Sequence, residues 1–143
     1  STSARYHTAA YGSSNNKIFH FSSTQEASNN RVVTIATTSA NGMSITANRP
    51  CKCWITFGFT FTAADGTAGL TKNSNQLTTA IWALSDQNQN LGMQVTRANG
   101  QMIMISWAGI LARNDVIRPH GDGTTIHGTG QRTQIHILAT TKL

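Results

Sequence analysis

Alternation of apolar and polar residues is the dominant pattern of this chain. Between Cys51 and Phe61 every odd position is apolar, whereas the even positions are mostly polar. Because successive side chains of a strand point to opposite faces, this segment predicts a half-buried β-strand. Similar alternation or shorter β-like runs occur at 17–21, 31–37, 43–47, 91–96, 115–119 and 134–139.

Turn signals separate these runs. Glycine stands beside Asn or Asp at 41–42, 64–66, 99–100 and 121–123. Asn99-Gly100, between two alternating runs, predicts a hairpin because both residues tolerate the positive φ of a type I′ turn. About nine strands at this spacing, with no helical stripe, predict an all-β fold: an antiparallel jelly roll or β-sandwich of about 8–10 strands.

The first 16 residues do not show this alternation. They are small, polar and aperiodic, with Tyr6 and Tyr11 as the candidate anchor points. Segments of this kind are commonly ordered only against a neighbouring subunit. The sequence therefore predicts an extended N-terminal arm over 1–16, followed by a single β-sandwich domain over 17–143.

Two predicted strands, 77–86 and 101–111, are apolar on both faces. In the second, Ile103, Ile105 and Trp107 share one face, and Met102, Met104 and Ile110 share the other. A two-layer sandwich buries one face of each sheet, so the second face needs cover from a loop such as 62–75, from the arm or from another subunit. Because large exposed apolar patches are rare on monomers, subunit contact is favoured. The candidate interface residues are Trp54, Trp82, Leu84, Met102, Met104, Trp107 and Ile110.

The charge content changes the picture of the surface. Only 11% of the residues are charged, against about 25% in a typical domain, and uncharged polar residues need no charge to be desolvated at an interface. The formal net charge is +6, but the basic residues form no run. A nucleic-acid partner is therefore not favoured, although scattered positions can converge in a fold. The positive field suits an acidic protein surface instead.

Membrane and secretory signals are not found in the sequence. It contains no run of 18 apolar residues, so no membrane-spanning segment is expected. It has no signal-peptide pattern, and it starts with Ser1 as a chain does after removal of an initiator Met. No Asn stands in an Asn-x-Ser/Thr context. These features favour a protein that is not routed through a eukaryotic secretory pathway.

The residues that carry chemistry are few. The five carboxylates are Glu26, Asp65, Asp86, Asp115 and Asp122. Most of them lie in turns, where Asp is common for backbone reasons, and Asp115 is expected to accept backbone N–H groups there. Nucleophile-elbow, zinc-protease and phosphate-loop motifs do not occur. The sequence therefore predicts no enzyme, no catalytic residue and no cofactor.

Cysteine and histidine offer little more. Cys51 and Cys53 stand two apart on a predicted strand, a poor spacing for a disulfide or a zinc site, so both are expected to be buried thiols. His136 points outward between Ile135 and Ile137. One hypothesis places it near a three-fold axis as a metal ligand, but a half-exposed strand histidine is favoured, and no bound metal is expected.

The segment 106–123 resembles a stretch found in C1q/TNF-like jelly rolls. An apolar strand is followed by a turn with Leu111, Asp115, Val116 and Ile117, and then by a last strand within 132–143. Together with the last strand, the resemblance covers about 40 residues. It implies a homotrimeric jelly roll, of the kind seen in bacteriophage capsid decoration (cement) proteins and fibre tips. Collagen-like repeats and a long coiled coil, which accompany other members, are missing.

This resemblance implies a structural virion protein that binds the outer capsid surface as a homo-oligomer and stabilises it. The partners would be sister subunits and the major capsid protein, and the location would be the capsid exterior, after assembly in the host cytoplasm. The arm and nearby residues would lie across the capsid protein. The candidate capsid-binding residues are Arg5, Tyr6, Tyr11, Lys17 and Arg31.

Two other functions remain open. The domain would instead be the receptor- or glycan-binding tip of a phage fibre if the polar residues of 63–75 and 118–130 formed a sugar site. A secreted C1q-like ligand is the weakest alternative, because a signal segment, a disulfide framework and a glycosylation sequon are all missing.

Overall fold

The chain folds into two five-stranded sheets. The computed structural model describes residues 1–27 and 31–142, and Leu143, where the predicted last strand ends, lies outside them. Two short 3-10 turns, Ile81–Ala83 and Gln87–Gln89, interrupt the strands. The described strands are β1 (Thr2–Tyr11), β2 (Phe19–Ala27), β3 (Val33–Thr38), β4 (Gly42–Ala47), β5 (Cys51–Thr60), β6 (Thr67–Lys72), β7 (Asn90–Val95), β8 (Met102–Leu111), β9 (Val116–Gly121) and β10 (Gln134–Thr140).

The strand order is that of a jelly roll. Sheet A has the order β2-β1-β10-β5-β8, and sheet B has the order β3-β4-β9-β6-β7. All pairings between these strands are antiparallel. Most neighbours in a sheet are far apart in sequence, because the chain crosses between the sheets repeatedly. The predicted all-β antiparallel sandwich of about 8–10 strands is confirmed.

The core lies between the sheets and is centred on β5. Its inward residues Phe57 and Phe59 are fully buried, and the edge of Phe19 meets Phe57 at 5.0 Å between ring centroids. Edge-to-face rings of this kind add to the free energy gained from apolar burial. Cys51 and Cys53 are free and buried in the same row, and burial raises the pKa of Cys53 to about 12. The prediction of two buried thiols is confirmed.

The predicted N-terminal arm over 1–16 is wrong, because most of this segment is a strand of the sandwich. Residues Thr2–Tyr11 form β1, which pairs with β10 on one side and with β2 on the other. The alternation is hard to see because small residues such as Ala4 and Ala9 take inward positions. A register shift at Arg5/Tyr6 and a positive φ at Thr8 also change its phase. Pairing on both sides fixes this segment inside the domain.

The predicted strand 77–86 is also wrong. Residues 73–89 form the long connection from β6 to β7, which packs over the outer side of sheet B. His120 and Thr71, which point outward from β9 and β6, are buried beneath it. His120 Nε2 donates to the Thr79 carbonyl oxygen at 2.7 Å. The apolar residues on both sides of this segment therefore reflect a covering loop and not a strand.

Asn99-Gly100 does not make the predicted hairpin. Strand β7 pairs with β6 in sheet B, whereas β8 pairs with β5 in sheet A. Gly100 has the expected positive φ of 79°, and its N–H donates to the Phe61 carbonyl oxygen at 2.9 Å. The turn residues are suited to a tight turn, but the turn here carries the chain from one sheet to the other.

Candidate functional site

The outer face of sheet A is the main exposed apolar surface of the described residues. We call its members the sheet A patch. Alternation along the strands turns these side chains away from the core, and the exposed fraction reaches 63% for Ile110. The sheet A patch consists of Trp54, Met102, Met104, Ile110 and Leu138.

The strand register brings one part of this patch together. Leu138 of β10 lies opposite Trp54 of β5, and Trp54 lies opposite Ala108 of β8. Directly opposed side chains on one sheet face contact each other. Ile110 follows beside this row, and a shallow cleft of about 280 Å³ lies between Trp54 and Ile110. Leu138 was not predicted, although the alternation of 134–139 places it on the outer face.

The other end of the patch is formed by two methionines. Met102 and Met104 cover Gly58 of β5, so that a Cβ at Gly58 would lie 2.6 Å from Met102 Cε and from Met104 Sδ. The glycine leaves space for the flexible thioethers to lie on the strand. Methionine adapts its shape to irregular partners, which suits this part of the patch to contact with another surface.

The β1 side of the same face, together with Gln134 and His136 of β10, is polar. Arg5 donates through Nη2 to Oε1 of Gln131 at 2.7 Å and to Oε1 of Gln134 at 2.9 Å. Burial, and then the charge of Arg5, lower the pKa of His136, while Glu26 raises it. His136 is therefore neutral at neutral pH. The face thus changes from polar to apolar on going from β1 to β8.

Three predicted interface residues are not part of this patch. Leu84 is only 4% exposed, because the β6–β7 connection buries it within the chain. Trp107 lies opposite the inward-facing Ile55 and packs against the core from the inner face of β8. Trp82 is 61% exposed, but it lies on the sheet B side in the 3-10 turn that packs over β6. The other four predicted interface residues all lie in the sheet A patch: Trp54, Met102, Met104 and Ile110.

The five predicted capsid-binding residues do not form one surface. Tyr6 and Tyr11 pack against the core, and the Tyr11 hydroxyl donates to the Thr124 carbonyl oxygen at 2.9 Å. Burial raises the pKa of Tyr11. Arg5 lies on the outer face of sheet A. Lys17 lies near Gly123 at one end of the sandwich, and Arg31 lies at the other end.

Asp115 has the predicted structural role. Its carboxylate accepts from the Ala112 backbone N–H and from Asn73 Nδ2, both at 2.9 Å. The hydrogen bond from Asn73 is the largest cause that lowers the pKa of Asp115. In return, Asn73 Oδ1 accepts from the Val116 N–H at 2.8 Å. These bonds connect the β8–β9 turn to the end of β6.

The remaining chemistry is sparse in the part of the chain that the structure describes. Within 1–27 and 31–142, no three His, Cys, Asp or Glu side chains gather as metal ligands would. None of the helical turns in those ranges is long and apolar enough to cross a membrane. Of the two loops considered for sugar binding, 63–75 contains β6, and 118–130 begins inside β9. A cleft of about 390 Å³ runs between β1 and the rest of the second loop.

Comparison with solved structures identifies a C1q/TNF-like jelly roll. Rabbit GITRL has a TM-score of 0.60 at 9% identity, with 100% of this chain and 97% of that chain covered. Eiger TNF from S. frugiperda has a TM-score of 0.56 at 7% identity, with 99% and 93% covered. Murine APRIL at pH 8.5 has a TM-score of 0.54 at 9% identity, with 95% and 96% covered. Such identities establish the fold alone. No family model matches the sequence, and no curated protein matches it.

Proposed function

We propose that this chain is a structural subunit that self-associates through the outer face of sheet A, and that the assembly decorates the exterior of a viral capsid. One observation carries the self-association: large apolar side chains stand together on a sheet face that no other part of the described chain covers. Trp54, Ile110 and Leu138 are each more than 40% exposed. Patches of this kind mark interaction sites.

The composition of the face supports a sister subunit as its partner. Its charged residues are Arg5 and Glu26 on the β1 side and Lys52, which lies opposite Ile110. Docking of the Met102 and Met104 part of the face therefore requires little desolvation of charge. The trimeric state comes from the C1q/TNF-like resemblance. In a ring about a three-fold axis, each subunit contacts its two neighbours through two different parts of its surface. The polar half and the apolar half of this face would supply two such parts.

The capsid is the finer part of the proposal. It draws on the resemblance of 106–123 to decoration proteins, on the low charge content of 11% and on the formal net charge of +6. A positive subunit is steered toward an acidic lattice. Because the trimer would bury the sheet A patch, the major capsid protein would be contacted by other surfaces.

Self-association is tested by comparing two tryptophans. Trp54→Glu places a charge in the sheet A patch, and Trp82→Glu places one on the sheet B side, where Trp82 is 61% exposed. Light scattering is expected to give a trimer for the Trp82 variant and a monomer for the Trp54 variant, because a buried unpaired charge is costly. Trimers from both variants would overturn the assigned face.

The location is tested separately by labelling intact virions with an antibody raised against this chain. Label over the capsid exterior supports a decoration protein. Label confined to fibre tips would instead favour the receptor- or glycan-binding function. Particles that carry no label would overturn the virion assignment.

A further inference from the structure

More than half of the basic residues of this chain converge at one end of the sandwich. We call this end the basic end. Its residues are far apart in the sequence. They lie near the starts of β3 and β5, near the ends of β4, β6, β8 and β10, or in the turns next to these strand ends. Six of the 11 Lys and Arg residues lie there. The members of the basic end are Arg31, Arg49, Lys52, Lys72, Arg113 and Lys142.

Backbone hydrogen bonds hold these turns together. The Ala47 N–H donates to the Asp115 carbonyl oxygen at 2.9 Å, and the Asn114 N–H donates to the Ala47 carbonyl oxygen at 2.8 Å. The turns that carry Arg49 and Arg113 are therefore adjacent.

The other members join through strand pairing and further backbone bonds. The Asn73 N–H, next to Lys72, donates to the Val116 carbonyl oxygen at 2.8 Å. Lys52 of β5 lies opposite Thr140, two residues before Lys142. The positions of the basic end are thus fixed by the fold.

The positive charges at this end outnumber the negative ones. The carboxylate of Asp115 lies among the basic residues, where Asn73 and the Ala112 N–H bind it and the charge of Lys72 helps to lower its pKa. Glu26 near the end of β2 and Asp86 in the turn before β7 also lie toward this end, so six cations stand against three carboxylates. The Arg49 and Arg113 side chains are exposed. Positive potential therefore accumulates over one end of the domain.

The opposite end is closer to neutral. Lys17, Arg97 and Arg132 lie there together with Asp65 and Asp122. Arg97 Nη1 approaches Asp65 Oδ1 to 3.8 Å. The net charge of +6 is therefore unevenly distributed along the strand direction.

We propose that the basic end is a docking surface for an acidic protein surface. Arginine forms paired hydrogen bonds with carboxylates, and Arg49 and Arg113 are exposed at adjacent turns. The described turns 48–50, 73–75 and 112–115 contain no aromatic residue. They therefore offer no platform on which bases of a single-stranded nucleic acid could stack. Their Asn, Ser and Pro residues are uncharged and can approach a protein closely.

The orientation in an assembly rests on the proposed trimer. With the three-fold axis placed along the strand direction, the three basic ends would face the same side, because rotation does not reverse direction along its axis. Three linked copies of a weak docking surface bind an extended acidic surface far more tightly than one copy does. This side of the trimer would face the capsid.

Charge reversal with a matched control tests the docking surface. The basic-end variant is Arg49→Glu/Arg113→Glu/Lys142→Glu, and the control is Lys17→Glu/Arg97→Glu/Arg132→Glu. Both variants lower the formal net charge from +6 to zero. Binding to poly-L-glutamate is expected to weaken about tenfold or more in the basic-end variant and about twofold in the control, because local charge governs docking.

Two results would overturn the proposal. Equal weakening in both variants would mean that only net charge matters. Tighter basic-end binding to a short DNA duplex than to poly-L-glutamate would assign the surface to nucleic acid. Light scattering of the same samples separates this proposal from the trimer. A monomeric wild type that still binds through the basic end contradicts only the trimer, whereas a trimer without basic-end dependence contradicts only the docking surface.

Discussion

The outer faces of the two sheets differ in how their apolar residues are covered. On sheet B, the connection 73–89 lies over β6 and β9 and buries Ile81 completely. On sheet A, Trp54 and Ile110 remain exposed on β5 and β8. In the sequence, the segments 77–86 and 101–111 both show apolar residues on two faces. Two-sided apolarity therefore does not by itself identify a subunit interface.

Connection length explains this difference. The chain between β6 and β7 is long enough to turn back over its own sheet and form the 3-10 turn Ile81–Ala83. The connections 48–50 and 112–115, which adjoin β5 and β8, are tight turns and cannot reach across a sheet. The described chain leaves the sheet A patch uncovered, whereas it covers the corresponding side of sheet B itself.

The largest effect is expected from the covering loop of sheet B. Ile81→Ala should lower the free energy of unfolding by about 2–4 kcal/mol, because it leaves a cavity at a buried site. Its exposed neighbour provides the control: Trp82→Ala should change that free energy by about 0.5 kcal/mol or less. Urea denaturation measures both. A loss at Ile81 as small as that at Trp82 would show that the loop is not packed on the sheet.

The sheet A patch should respond in the opposite way. Ile110→Glu is expected to leave the unfolding of a single subunit almost unchanged, yet to weaken self-association by about 2 kcal/mol or more, because Ile110 is the most exposed side chain of the sheet A patch. The wild-type melting temperature should rise with protein concentration, because association stabilises the folded state. The variant should lose this dependence. A concentration-dependent Tm in the variant would contradict the assigned face.

A smaller effect is expected from pH through His120. Burial is the largest cause that lowers its pKa, Arg118 lowers it further, and the bond to the Thr79 carbonyl opposes them. The unfolded histidine takes up a proton near pH 6.5 and the folded one resists it. Stability should therefore fall as the pH drops below about 6.5, by at most about 1.4 kcal/mol per pH unit, and level off below the folded pKa.

His120→Asn should reduce this slope in denaturation curves measured between pH 7 and 5. His136, whose pKa is also lowered, contributes a remainder of the same sign. Asp115 affects stability in a different pH range. Because its pKa is lowered, its protonation reduces stability only below about pH 4. An unchanged slope in the His120 variant would show that the loop does not hold the imidazole in its neutral form.

Much of the fold is readable from the sequence because alternation is a local signal. It predicts β5, β8 and β10 and correctly separates Ile103, Ile105 and Trp107 from Met102, Met104 and Ile110. The period alone does not tell which face points inward, so Trp107 was assigned to the wrong side. Strand β6 was missed because Gly69 and the small Ala68 mask its alternation. Strand β1 was missed for the related reason of small inward residues.

The candidate surfaces depend on contacts between distant segments, which sequence reasoning reaches less well. Leu138 joins Trp54 only through the register of β10 against β5. The basic end is assembled from residues in five separate segments and has no local signature in the sequence. The cover of sheet B depends on where the connection 73–89 returns, and composition does not specify this.

The most direct test of the account is the solution mass of the unmodified chain, measured by light scattering over a range of concentrations. An uncovered sheet A patch predicts a stable species of three times the chain mass of 15.4 kDa. A species of 15.4 kDa that persists at the highest concentration would contradict self-association through sheet A.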